Sequence, residues 1–165
     1  MDLSETVSTA LADACERYAG RVHTLADGLT DEQFWTKPYL YGNSFGHLVL
    51  HLTGNLSYYI GAQIAGTGYV RDREREFTDP SKRPKAEVLS DFGSAVKMVS
   101  QTLGAQTAES LVLAPSETER ADFDTRFAIF FHCISHLNHH VGQMIYLEKE
   151  LHKLDPRTTA LHKTV

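Results

Sequence analysis

Charge is missing from two long stretches of this 165-residue chain. No Asp, Glu, Lys or Arg occurs from Pro38 to Val70, nor from Phe127 to Leu147. Stretches of this length invite a membrane reading. Their polar groups exclude it. The first holds Asn43, His47, His51, Thr53, Asn55 and Gln63, and the second holds four histidines, Asn138 and Gln143. Such groups are costly in hydrocarbon. Both stretches therefore read as helices covered by protein, either inside a bundle or at a homodimer interface. Cysteine is scarce too. Cys15 and Cys133 lie far apart and form no CxxC pair, which excludes a disulfide framework and a cysteine zinc site. There is no basic stripe of the kind nucleic-acid binders carry. The formal net charge is -5, and the longest basic cluster, Lys82, Arg83 and Lys85, sits in an expected loop. Met1 to Glu5 lacks the basic start and apolar run of a signal peptide, so the cytoplasm is the expected location.

Several catalytic signatures are absent as well. There is no HExxH motif, which excludes a zincin-type protease. No pair of Glu-x-x-His motifs occurs, which argues against a di-iron carboxylate bundle. Gly66-Thr67-Gly68 is too short for a phosphate loop and follows a helix. Gly93-Ser94 lies within a helical pattern, so it is no nucleophile elbow.

The residues that are present describe an all-α protein. The length suits one domain with a core that needs no metal to fold. We expect that domain over residues 1–151, followed by a tail over 152–165. Four helical segments are predicted. The first runs from about Leu3 to Ala26, with Val7, Leu11, Ala14, Tyr18, Val22 and Leu25 on one stripe. Gly28 stops it, and Thr30 to Gln33 reads as a capping box. The second runs from about Asn43 to Ala65, with Asn43 or Ser44 as N-cap. A long loop follows from Gly66 to Pro84. The third helix starts at Pro84 and ends near Leu103. After a second long connection, in which Ser110 to Ala114 is read as a short extended piece, the fourth runs from about Asp124 to Leu151.

Six of the nine histidines fall on the two charge-free helices. At 100° per residue, His47, His51, Asn55 and Tyr58 share one side of the second helix. His132, His136, His140 and Gln143 share one side of the fourth, with His139 nearby and an apolar side opposite. Shielded imidazoles need partners for their ring nitrogens, and one divalent metal can serve three rings at once. Two histidines four residues apart on one helix, with a third from a facing helix, leave a position for water or substrate, as in catalytic zinc sites. Zinc and nickel suit imidazole ligands. For His47 or His132 alone, a hydrogen-bonded core histidine is the plainer reading, and His23, His152 and His162 read as surface residues. Arg71, Arg73 and Arg75 read as a solvated salt-bridge loop more readily than as a carboxylate-binding site. Trp35 reads as core.

These motifs resemble the DinB-like (DinB/YfiT) superfamily. His136-Leu-Asn-His-His140-Val-Gly-Gln143 is similar to the H-x3-H-x-G-Q signature near its last helix. Gly42 to Asn55 is similar to its second-helix motif, and Arg71 to Phe77 resembles a stretch found in one subgroup. The resemblance spans roughly Asn43 to Leu151. It implies a four-helix bundle of the up-and-down type, with long loops after helices two and three and a metal among the helices. It also implies that His51, His136 and His140 are the ligands. His47, Asn55, Tyr58, His132 and Gln143 are then candidates for supporting the ligands or binding substrate. Relatives include S-transferases that use low-molecular-weight thiols such as mycothiol or bacillithiol, and a thiol-dependent maleylpyruvate isomerase. The expected function is a metal-dependent enzyme acting on a small molecule, with a thiol S-transferase leading. The alternatives are a metal-dependent hydrolase and a non-enzymatic metal-binding or interaction module. No catalytic residue beyond the ligands is assigned from the sequence.

Overall fold

The computed structural model describes residues 2–115 and 123–154, and among these every regular element is helical. Four long helices make the bundle: α1 (Leu3–Asp27), α3 (Phe45–Leu56), α5 (Lys85–Gly104) and α7 (Arg126–Leu154). Three short ones, α2 (Asp31–Trp35), α4 (Arg75–Thr78) and α6 (Ala108–Leu111), lie in the connections. A π-helical turn, Ser57–Ala62, extends α3.

The starts follow from local chemistry. Asp2 caps α1 by accepting from the Glu5 amide at 2.9 Å. Thr30 and Gln33 form the predicted capping box at α2. Ser44, not Asn43, caps α3 by accepting from the His47 amide. Each device satisfies amides that have no partner inside the helix. One expectation fails: Ser110 to Ala114 is not extended. Thr107 and Ser110 form a second capping box, and Leu111 is buried. The reciprocal cap, with an apolar anchor behind it, favours a single helical turn there.

The α1 helix packs on α5 and α7, and α3 packs on the same two. The interior between them holds Phe34, Phe45, Phe92, Phe130, Leu52 and Met144, all fully buried. Trp35 is core, as expected. Its Nε1 donates to the Arg83 carbonyl at 2.9 Å, and a Cβ at Gly46 would stand 2.7 Å from its ring. The glycine lets α2 lie directly on α3.

The two charge-free helices differ in exposure. Most of α3 is buried, as its composition implies. The outer side of α7 is not covered among the described residues: Phe127, Phe131, His132, His139 and Tyr146 are exposed. The described part of the bundle therefore covers α3 and leaves one side of α7 open. The α7 helix meets its neighbours through Phe130, Leu137, Val141 and Met144, and among the described residues its opposite side is exposed. No helix among the described residues is long and apolar enough to cross a membrane. Of the expected tail, residues 152–154 continue α7. The remainder, with His162, lies outside the described residues.

Candidate metal centre

His51 on α3 and the pair His136 and His140 on α7 meet where these helices pack. Their ligand atoms all lie within 4.8 Å of one another. Among the described residues no other His, Cys, Asp or Glu joins this group. The Nε2 of His51 stands 2.9 Å from that of His136, which stands 3.1 Å from that of His140.

The opposite ring nitrogens decide what those contacts mean. The His51 Nδ1–H donates to Glu76 Oε2 at 2.8 Å, and the His140 Nδ1–H donates to Gln143 Oε1 at 2.7 Å. A carboxylate and an amide oxygen only accept, so each neutral ring presents a bare lone pair at Nε2. His136 can offer one Nε2 proton at most, and it has two such neighbours. The inward nitrogens thus have more lone pairs than protons, and a cation at their meeting point resolves the mismatch. The donor set fits a borderline divalent ion such as zinc or nickel.

Electrostatics push the same way. Burial, and then the neighbouring imidazoles, lower the His136 pKa from an ordinary 6.5 to about 3. Burial lowers His140 to about 4, against the opposing effect of the Gln143 hydrogen bond. Both rings are neutral near pH 7 and available to a metal. Glu76 moves oppositely to most buried acids. Its burial favours the neutral form, but hydrogen bonds from His51 and Arg71 and the Arg71 charge outweigh it, so its pKa is lowered. Arg71 grips it bidentately, with Nε to Oε1 at 2.6 Å and Nη2 to Oε2 at 2.9 Å. Such forked pairs are strong and directional.

A family model described as mycothiol-S-transferase matches residues 10–152. The chain belongs to the mycothiol S-transferase family. This is a DinB/YfiT-like family, in line with the motifs on α3 and α7. No curated protein matches the chain significantly.

Within this family member, the other predicted residues have distinct places. His47 stays out of the cluster: its Nδ1 bonds the Ser44 hydroxyl at 2.7 Å and its ring meets Trp35 edge-on at 5.4 Å. Burial, then the Lys37 charge, lowers its pKa. His132 is exposed and stacks on His136 with centroids 5.8 Å apart. Asn55 is buried, and its Oδ1 has no hydrogen-bond partner among the described residues. Gln143 bridges two rings, since its Nε2 also lies 3.2 Å from the His139 Nε2. Tyr58 packs edge-on against Tyr59, and it is Tyr59 that meets His132.

Three participants escaped sequence reasoning. Glu76 lies 25 residues from His51 in the chain, beyond any helical spacing rule. Arg71 is not the solvated residue expected, because its side chain is only 10% exposed and paired with Glu76. Arg73 and Arg75 are exposed, as expected of a solvated loop; Arg75 reaches Asp79 at 4.0 Å, while Arg73 lies over the Phe77 ring. Tyr59 was hidden by the π turn. The available signal was Gly54. A Cβ there would collide with the Glu76 carboxylate, so a glycine in mid-helix marked a close approach.

A cleft of about 630 Å³ lies between α3, α5 and the 67–79 segment, lined by Thr53, Gly54, Ser57, Tyr69, Glu76 and Met98 among others. It adjoins the histidine cluster through Glu76. Neither cysteine is placed to act as a nucleophile. Both are buried, and burial drives the Cys15 thiol to about 12 and raises Cys133 as well.

Proposed function

We propose that this chain is a metal-dependent S-transferase, in which His51, His136 and His140 hold one divalent ion, zinc or nickel, and the sulfur donor is a low-molecular-weight thiol of the mycothiol kind. The observation that carries the reading is the convergence of three Nε2 atoms, two of them on rings whose opposite nitrogens are fixed by Glu76 and Gln143. A bound ion would supply the Lewis acidity that keeps a coordinated thiol deprotonated at neutral pH. The chain's own residues do the rest. Glu76 and Gln143 hold two imidazoles in the tautomer that binds a cation. Arg71 keeps Glu76 ionised and aimed. The three-histidine set leaves room for a further ligand, as catalytic sites require. In the overall reaction the thiol loses its proton to solvent, its sulfur gains a bond to an electrophilic carbon, and the carbon's leaving group departs with its electron pair.

The test is metal analysis followed by a thiol screen. The purified protein is expected to carry about one divalent ion, and His51→Ala, His136→Ala and His140→Ala each to lose most of it. Conjugation of an electrophile should need both the ion and a specific thiol. Full metal retention in the triple variant would overturn the ligand assignment. Turnover with no thiol present would replace the transferase with a hydrolase.

A further inference from the structure

At the other side of Gln143 the chain forms a niche of about 340 Å³ between the 39–43 segment, the start of α3 and the last third of α7. Its walls include Tyr39, Tyr41, Leu48, Gln143, Tyr146 and Leu147, and none of its lining residues carries a charge. Tyr39 and Tyr41 stack, with centroids 5.9 Å apart and planes 14° from parallel. Gly42 reverses the chain behind them at φ +90°, a conformation that side chains resist. Tyr41 is 80% and Tyr146 71% exposed. These rings make a flat, wet, apolar surface with polar edges, which suits a ligand better than a core. Glu150 and Lys153, whose charges act on Tyr39, pair with each other at 2.6 Å.

The niche shares Gln143 with the histidine cluster, because that side chain both lines it and accepts from His140. Its volume is at the lower end for small-molecule sites. An uncharged aromatic lining disfavours an ionic occupant, for which it has no counter-charge, and favours a flat neutral one.

We propose that this niche holds the neutral aromatic part of the electrophilic co-substrate, with Tyr41 and Tyr146 as its specificity-determining walls. The co-substrate role rests on the S-transferase reading, whereas the binding itself does not. The probe is 1-naphthol, titrated calorimetrically into the metal-loaded full chain. Tyr41→Ala and Tyr146→Ala should each weaken it roughly five-fold, from the loss of one aromatic wall. Phe131→Ala, exposed elsewhere on α7, should leave it unchanged. In conjugation assays the same two variants should raise KM for a nitroaryl halide and leave KM for iodoacetamide unaltered.

Absence of naphthol binding to the unmodified protein, or equal binding by the Tyr41→Ala, Tyr146→Ala double variant, would overturn the niche. Transfer whose KM values ignore both variants would overturn its co-substrate role while the S-transferase reading survived. Naphthol binding that follows the two tyrosines, with no thiol supporting transfer, would sustain the aromatic site and remove the S-transferase reading instead.

Discussion

Glu76 shows how much a single side chain can set. Its carboxylate is buried, accepts from His51 and is clamped by Arg71. Removing its charge leaves the Arg71 guanidinium facing a neutral amide and weakens the hold on the His51 ring. Partners of this kind commonly contribute 10–100-fold to metal affinity. Glu76→Gln should therefore lower affinity by about that factor, read by chelator competition, with helical circular dichroism unchanged. An affinity equal to that of the unmodified protein would remove Glu76 from the site. Gly54→Ala should act in the same direction, because its Cβ occupies the space of the Glu76 carboxylate. The histidines were legible because their spacing is a local property of helices. Glu76 was not, because a connecting segment folds it back against α3.

The π turn governs what the end of α3 presents. An α-helix places residue 58 on the His51 side, counting in steps of three and four. A π turn accommodates an extra residue and moves every later side chain round the axis. Tyr59 consequently meets His132 and Phe123 and lies beneath the Arg71 guanidinium, whose Cζ is 5.9 Å from the ring centroid. Tyr59→Ala should thus move the His132 ring resonances in a histidine-selective NMR spectrum, and Tyr58→Ala should move them less. The reverse order would mean that Ser57–Ala62 is ordinary α-helix in solution. Nothing in the residues of this stretch announces the extra residue, since Ser-Tyr-Tyr-Ile-Gly-Ala is compatible with both windings.

The molecule as a whole is expected to fold without a metal, because its core is complete on its own. The core joins all four long helices and contains residues such as Phe92, 0% exposed, whose replacement by Ala should cost about 3–5 kcal/mol. Chelation should leave the helical signal intact and lower the melting temperature, because an ion that binds only the assembled centre stabilises the folded state. Loss of helix on chelation at 25 °C would contradict this. The metal-free protein should also weaken in acid. His136 and His140 titrate at about 3 and about 4 when folded, below the ordinary 6.5 of the unfolded chain. Between these values the unfolded state binds more protons, so stability falls as pH drops from about 6.5 toward 4. Above 6.5 the two rings add no pH dependence. A denaturation midpoint that stays level from pH 7 to pH 4.5 would disprove their burial as neutral rings.

Composition and periodicity by themselves determined that the chain is helical, which faces of its helices are apolar, and that imidazoles line two charge-free segments. These are local consequences of 3.6 residues per turn and of the cost of burying unpaired polar groups. They could not distinguish His132 or His47 from the three that meet, because all five recur at the same spacing of four. The relative depth of α3 and α7 decided that: it brings His51 opposite His136 and His140, leaves His132 exposed and sets His47 against Trp35. Which nitrogen of the His51 ring faces inward was likewise a tertiary matter, whereas Gln143 reaches His140 within one turn of α7. The His51 contact depends on an acid from a distant segment, and a hydrogen bond between chain-distant groups exists only once the chain has closed around it.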